Sequence, residues 1–336
     1  MVVLTQFMRV EPFIIAGTSL DEVDLEYYLA HRTAVTSRND RGPSILIEPY
    51  PDHVTERDCE KYGLLLFKGT AEEFLDYINT SVPDRPTPLE LVSPQTQNLF
   101  PAGVSKRSII SFSSDFELVP ETATRNLKAS NFMFGLPPTW SDLAGNLDVS
   151  RQMTANLVAD VEARLTDPTI QNRVIFLTDV TGAGKTTLLR RVAFEIAGKR
   201  SAKVLLCSSL SRVEAQLSAS LIDMIDDPVL LVVDNIADQA NAIADTVERL
   251  DKNDVVVLCS DRNYRSSYVL NAFSDLSVKA IGGLTLDLIE SQRLISTYLN
   301  VGLLGNPDAL QNPSAFASQL EHDPIAIAAC RILNDF

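Results

Sequence analysis

The stretch TDVTGAGKTTLLRR, Thr178 to Arg191, decides the fold of this chain. An apolar run, Val174-Ile175-Phe176-Leu177, precedes it, and Leu188, Leu189, Val192, Ala193, Ile196 and Ala197 follow at helical spacing. That order predicts strand, glycine loop, helix: a P-loop. A helix N-terminus offers unpaired N–H groups and the positive end of a dipole, which suit a polyphosphate. Gly182, Ala183 and Gly184 let the backbone approach phosphates closely. Lys185 reaches β/γ oxygens, the Thr186 hydroxyl can ligate Mg²⁺, and Thr187 completes the first turn.

The strict pattern asks for glycine five residues before Gly184, and Asp179 stands there. Aspartate tolerates left-handed backbone better than most residues, so the turn is expected to survive. A carboxylate beside phosphates is unfavourable unless it points away. The alternative is a glycine turn between strand and helix with no ligand.

Downstream, Pro228-Val229-Leu230-Leu231-Val232-Val233-Asp234 reads as a buried strand ending in an acid, the form of a Walker B strand whose Asp holds the Mg²⁺ shell. Otherwise Asp234 merely starts the next turn. Asn235 follows where a glutamate often orients the attacking water; asparagine is no general base, so slow or absent hydrolysis is expected. A third run, Val255 to Cys259, leads into Ser260-Asp261-Arg262. Arg262 is expected either to sense the γ-phosphate through charge-assisted hydrogen bonds or to lie on a solvated loop.

The succession of P-loop, VVDN, VVVLCSDRNYR and IGGLTLDLIESQRLISTYL resembles the STAND class of signal-transducing P-loop ATPases, relatives of NACHT and NB-ARC proteins, over roughly Phe132 to Phe336. The resemblance implies a parallel-sheet NTPase of the ASCE type, ATP and Mg²⁺ as cofactors, and a helical subdomain with a proline near the adenine. Glu321 to Ala328 is similar to that last element and offers Pro324, although it departs from the usual Gly-Leu-Pro-Leu form. Trp140, the only tryptophan, either covers the adenine or anchors a core between subdomains. A helix with Met153, Leu157, Val161 and Leu165 on one face is expected before the loop strand.

The first third alternates strand and helix. Pro12 to Leu20 is a strand running into Gly17-Thr18-Ser19. Asp24 to Leu29 reads as helix, Ser44 to Glu48 and Gly63 to Phe67 as strands, and Ala71 to Ile78 as a helix behind a Thr70/Glu73 capping box. This part resembles the C-terminal half of a sirtuin-like Rossmann domain. The resemblance implies that Gly17, Thr18 and Ser19 lie near the ribose of NAD and that Glu48 ends the adenosine-side strand. The alternative is an ordinary α/β loop. Only 16 residues precede Gly17, none in a Gly-rich loop, and His31, His53 and His322 all follow it. The expectation is a partial domain needing its upstream half for NAD, and a C-terminal apolar helix, Ile325 to Leu333, without a partner.

A net charge of −15 argues against a broad surface for nucleic acid or anionic membrane. Arg190-Arg191 and Lys199-Arg200 are expected on solvated helix faces. The four cysteines are scattered without a CxxC pair, which indicates neither zinc nor a disulfide framework. No apolar run approaches the ~18 residues of a membrane span, and no signal peptide is read, so a cytoplasmic location is expected.

The expected organisation is α/β throughout: a partial sirtuin-like unit (1–82), a Pro/Ser/Thr/Gln-rich linker (83–121), the P-loop domain (122–285) and the start of a helical subdomain (286–336). Strands of the P-loop domain are expected near 173–178, 203–208, 229–233, 254–259 and 277–281. By resemblance, such fusions are bacterial antiviral proteins: a phage protein triggers a C-terminal sensor, ATP permits homo-oligomerisation, and the sirtuin-like part depletes NAD. The competing functions are a motor or chaperone ATPase and a nucleotide-free scaffold disabled by Asp179.

Overall fold

The computed structural model describes residues 12–17, 29, 44–81, 86–167, 169–170, 172–208 and 213–333. The chain divides into two compact units, residues 1–86 and 87–336.

In the first unit, β1 (Ile14–Ala16), β2 (Ser44–Glu48) and β3 (Leu64–Lys68) form a parallel sheet in the order β1-β2-β3. The helix His53–Tyr62 begins at Asp52, whose carboxylate accepts the Thr55 N–H, and ends on left-handed Gly63. Cys59 and Tyr62 on that helix pack with Leu46 and Leu64. The expected capping box at the next helix, Ala71–Ser81, is present: Thr70 N–H donates to Glu73 at 2.7 Å and Glu73 N–H donates to the Thr70 hydroxyl at 3.2 Å. Thr18, Ser19 and most of the helix expected at 24–29 lie outside the described residues.

The second unit is built on a six-stranded sheet ordered β4-β6-β7-β8-β5-β9. Its strands are β4 (Phe116–Leu118), β5 (Val174–Asp179), β6 (Lys203–Cys207), β7 (Val229–Val233), β8 (Val255–Arg262) and β9 (Val278–Ile281). All pairings are parallel except β4 with β6. Strand β8 lies between β5 and β7.

Side chains alternate across a strand with period two. Val174 and Phe176 of β5 therefore enter one core with Leu231, Val233, Val257 and Cys259. Ile175 and Leu177 enter the opposite core with Leu230, Val232, Val256 and Leu258. Apolar residues on both faces explain why these strands read as continuous hydrophobic runs. The helices Gln152–Thr166 and Lys185–Lys199 cover the second face, with Leu157, Val161, Leu165, Leu188, Val192 and Ile196 buried there. Met153 is partly buried against the same core.

Residues 87–118 are not the expected linker. Helices Pro94–Gln97 and Lys106–Asp115 lead into β4, which adds an antiparallel edge to β6. The reason is aromatic: Phe112 packs edge-on against Phe100 at 5.1 Å and lies 5.0 Å from Phe116, and all three are buried in the main core. In the sequence, Phe100 and Ile109 to Phe112 promise local packing within a linker; the polar composition around them gives no sign that they join the sheet's core.

The helices Leu288–Asn300, Pro307–Gln311, Pro313–Leu320 and Ile325–Leu333 form a third core. Leu294, Tyr298, Phe316 and Leu320 meet Ala328 and Ile332 there, so the last helix does have a partner. Met133, Leu147 and Val149, from before the P-loop, enter the same core, and the Tyr298 hydroxyl donates to the Met133 carbonyl at 2.8 Å. The paired arginines are likewise more than a solvated face. Arg191 donates to the buried carboxylate of Asp148 through Nε at 2.7 Å and to the Leu143 carbonyl at 2.8 Å. Arg190 donates to the Pro138 carbonyl at 2.8 Å. Together they fasten segment 138–148 to the loop helix.

Candidate functional site

Parallel pairing sets the C-terminal ends of β5, β8 and β7 side by side. Asp179 is in register with Arg262, Thr178 with Asp261, and Val233 with Cys259. The residues following these strands therefore converge at one end of the sheet, where the helix Lys185–Lys199 starts. Gly182 and Gly184 hold φ of +82° and +85°, the left-handed region that glycine enters without penalty. The first-turn N–H groups of the helix have no partner within it.

Lys185 is only 9% exposed, and its ammonium donates to the carbonyls of Asp179 at 3.0 Å and Val180 at 2.7 Å. Burial pushes its pKa down, and the charge of Arg262 pushes the same way; Asp179, Asp234 and Asp261 oppose both. The Thr186 hydroxyl donates to Asp234 Oδ2 at 2.6 Å. The other oxygen, Oδ1, accepts the Ser260 hydroxyl at 2.5 Å and the Asn235 N–H at 3.1 Å. A hydroxyl and a carboxylate this close, beside a phosphate loop, are the hard oxygen donors that Mg²⁺ takes together with phosphates and water. Among the described residues no group of three or more His, Cys, Asp or Glu is arranged to hold a metal, so such an ion would rest on Thr186, Asp234 and the phosphates themselves.

Both carboxylate oxygens of Asp179 are taken up by backbone N–H groups. Its Oδ1 accepts the Val180 N–H at 2.7 Å and its Oδ2 accepts the Leu284 N–H at 2.7 Å. Its backbone is not left-handed either: among the described loop residues the positive φ values fall on Gly182 and Gly184. The turn thus forms without the glycine of the strict pattern and without left-handed backbone at Asp179. Asn235 is the residue with left-handed backbone, at φ +52°, as its side-chain type allows.

Other expected residues are placed as follows. Arg262 is exposed at the tip of β8, and its guanidinium donates to the Tyr264 hydroxyl at 3.0 Å. Trp140 opens the helix Trp140–Ala144, stacks on Phe194 with centroids 6.3 Å apart, and donates its indole N–H to Glu117 at 2.7 Å. Arg190 covers its ring at 5.6 Å. Those partners make Trp140 a packing anchor on the flank of the loop helix rather than a cover for a base. Trp140 and Glu117 also border a cavity of about 700 Å³, with Ala197, Lys203 and Val204, at the end of the sheet opposite the loop. Pro324 leads into the last helix, whose Ala326 N–H donates to the Gly182 carbonyl at 3.0 Å. Gly17 is left-handed at φ +77° after β1; Thr18 and Ser19 are outside the described residues.

Sequence reading missed four residues. Ser260 fixes Asp234. Asp261, 1% exposed, accepts the Ala237 N–H at 2.8 Å and the Arg262 N–H at 2.7 Å, bracing the turn after β7. Arg151 and Glu290, 7% and 5% exposed, form a buried ion pair at 3.3 Å. Arg151 also donates to the carbonyls of Ala183 at 3.3 Å, Leu284 at 2.8 Å and Thr285 at 3.1 Å. For Asp261 the available signal was an acid inside an apolar strand run. Arg151 had none, because its partners lie more than thirty residues away.

Residues 130–269 match the family described as Novel STAND NTPase 5. With the parallel sheet and the glycine loop, this supports a STAND-type P-loop NTPase over that stretch. No curated protein matches the chain. Solved structures with some similarity include PCH-2 of C. elegans, at 14% identity and TM-score 0.38, covering 56% of this chain and 64% of that one. Domain III of the replication initiation protein DnaA of Thermotoga maritima gives 14% identity and TM-score 0.37, covering 57% and 86%. Rhizobiales Trip13 gives 17% identity and TM-score 0.35, covering 57% and 92%. The chain thus spans under two thirds of the PCH-2 chain. No described helix is long and apolar enough to cross a membrane.

Proposed function

We propose that residues 122–336 bind Mg²⁺–ATP and act as a signal-transducing switch rather than a fast hydrolase. The observation that carries this is the chain Thr186–Asp234–Ser260, with contacts of 2.6 and 2.5 Å, set beside a buried Lys185 at a helix N-terminus. In this reading the helix amides and Lys185 hold the phosphates. Thr186 and Asp234 hold the cation, which screens charge between the phosphates. Ser260 keeps Asp234 in one rotamer. Asn235 neither removes nor strongly polarises a proton, so turnover falls far below the ~10 s⁻¹ typical of enzymes. The orientation of Asp179 toward Leu284 speaks against the nucleotide-free scaffold, and Asn235 speaks against a motor.

The finer parts of the reading rest on resemblance. We propose that ATP binding permits homo-oligomerisation, that the first unit contributes to a sirtuin-like NAD-processing part, and that the assembly serves antiviral defence with a phage protein as trigger. The parallel β1-β2-β3 order and the left-handed Gly17 are compatible with the second of these. The test of the core proposal is titration with a fluorescent ATP analogue, with and without Mg²⁺. Saturable, Mg²⁺-strengthened binding is expected; its absence overturns the proposal.

A further inference from the structure

The P-loop is tied to the segments that flank and follow it. Its carbonyls and its first side chain hold the C-terminal helices. Gly182 C=O accepts the Ala326 N–H at 3.0 Å, and Ala183 C=O accepts Arg151 at 3.3 Å. Leu284, on the connector from β9 to the helix Leu288–Asn300, is gripped at both of its backbone polar groups. Its N–H donates to Asp179 at 2.7 Å and its C=O accepts Arg151 at 2.8 Å. Arg151 reaches on to Glu290 in the first turn of that helix, and the Gln152 N–H donates to Glu290 at 3.2 Å. Packing repeats the pattern: a Cβ on Gly184 would lie 2.8 Å from Ile325 Cγ2, and one on Gly182 would lie 3.0 Å from Ala326 Cβ.

We propose that Asp179 and Arg151 are positioning residues that couple docking of helices 288–333 to the phosphate affinity of the loop. The proposal rests on the ATP-binding reading above. Docking restrains the peptides at 182 and 183, so the following amides are already aimed when phosphate arrives, and undocking releases them. By linkage, whatever factor docking adds to ATP affinity, ATP adds to docking. Asp179 also explains itself in these terms. A glycine at that place supplies no carboxylate for Leu284, and this chain uses a charge-assisted bond there.

Hydrogen exchange of the full chain, with mass-spectrometric readout of segments 282–288 and 324–330, tests this beside ATP-analogue titration. Asp179→Gly removes the tie. Asp179→Asn keeps an acceptor for the Leu284 N–H while losing the charge. Without nucleotide, exchange at 282–288 is expected to rise at least roughly tenfold in Asp179→Gly and less in Asp179→Asn, in line with the loss of one charge-assisted bond. ATP is expected to slow exchange at 324–330 in the parent, and that protection is expected to shrink in the same order as ATP affinity across the variants. A merely structural aspartate would lower melting temperature without linking those two quantities. Unchanged exchange at 282–288 in Asp179→Gly overturns the tie. Equal ATP-induced protection in parent and Asp179→Gly overturns the coupling. A parent that binds no ATP overturns the functional reading and the coupling with it, and the nucleotide-free comparison still decides the tie.

Discussion

Two turns in this molecule begin alike and end differently. Each follows a parallel strand and each places glycine in the left-handed region: Gly17 at φ +77° after β1, Gly182 and Gly184 at +82° and +85° after β5. Around Gly17, a Cβ would meet nothing within 4 Å among the described residues. Around Gly184 it would strike Ile325 at 2.8 Å. Left-handed glycine after a strand marks a turn and no more. Chemistry depends on what the neighbouring strands bring to the same end of the sheet. At β5 they bring Asp234 from β7 and Ser260, Asp261 and Arg262 from β8.

The widest gap between the two turns is expected at Lys185. No other basic residue lies in the loop, so Lys185→Ala removes the one ammonium that reaches the phosphates. ATP-analogue affinity is expected to fall at least roughly a hundredfold, about 3 kcal/mol, with hydrogen exchange of β5–β8 unchanged. Equal affinity in variant and parent would take the phosphate role away from the loop. The next effect is at Asp234. Asp234→Ala strands the hydroxyls of Thr186 and Ser260 and removes the carboxylate from the cation position. Mg²⁺ is expected to stop strengthening nucleotide binding in this variant, while Mg²⁺-free binding changes little. A phosphate-release assay on the parent giving several turnovers per second, lost in Asp234→Ala, would instead favour a motor-type ATPase.

Much of the sheet was legible because buried parallel strands read as unbroken apolar runs: β7 and β8 stand within a residue or so of their expected starts. The geometry of the candidate site was legible where its residues are contiguous, from Gly182 into the helix at Lys185, and where a strand ends in an acid, at Asp234. It was not legible where partners come from distant segments. Nothing near Arg151 in sequence announces Ala183, Leu284 or Glu290, and nothing near Gly182 announces Ala326. Trp140 was open to two readings, a cover for a base or a core anchor, because a lone tryptophan before the loop strand suits both; its contacts with Phe194, Arg190 and Glu117 fit the anchor. Around 87–118, Phe100 and the run Ile109 to Phe112 suggested local packing only, because the polar composition about them gave no sign of an edge strand on β6.

Gly184→Ala sharpens the comparison on the stability side. Left-handed backbone costs an L-residue roughly 1–2 kcal/mol. Overpacking against Ile325 adds roughly 1–3 kcal/mol, unless the last helix shifts to make room. Chemical denaturation of the second unit is expected to show a loss of about 3 kcal/mol. Exchange at 324–330 is expected to rise with it, because the relief of strain runs through Ile325.

The smallest effect is expected at Gly17, and it isolates the backbone contribution. With no described neighbour within 4 Å of a Cβ, Gly17→Ala adds strain and no collision. The loss should be about 1–2 kcal/mol, the intrinsic cost of left-handed backbone for an L-residue. Asparagine visits that region more readily than alanine, so Gly17→Asn should recover part of the loss. At Gly184 asparagine should recover nothing, since the added bulk meets the same Ile325 methyl. Exchange of the β1–β3 amides provides the measurement for the first unit. Equal losses for alanine and asparagine at Gly17 would mean that a neighbour outside the described residues fills the space beside this turn. The contrast between an open glycine turn and a covered one would then collapse.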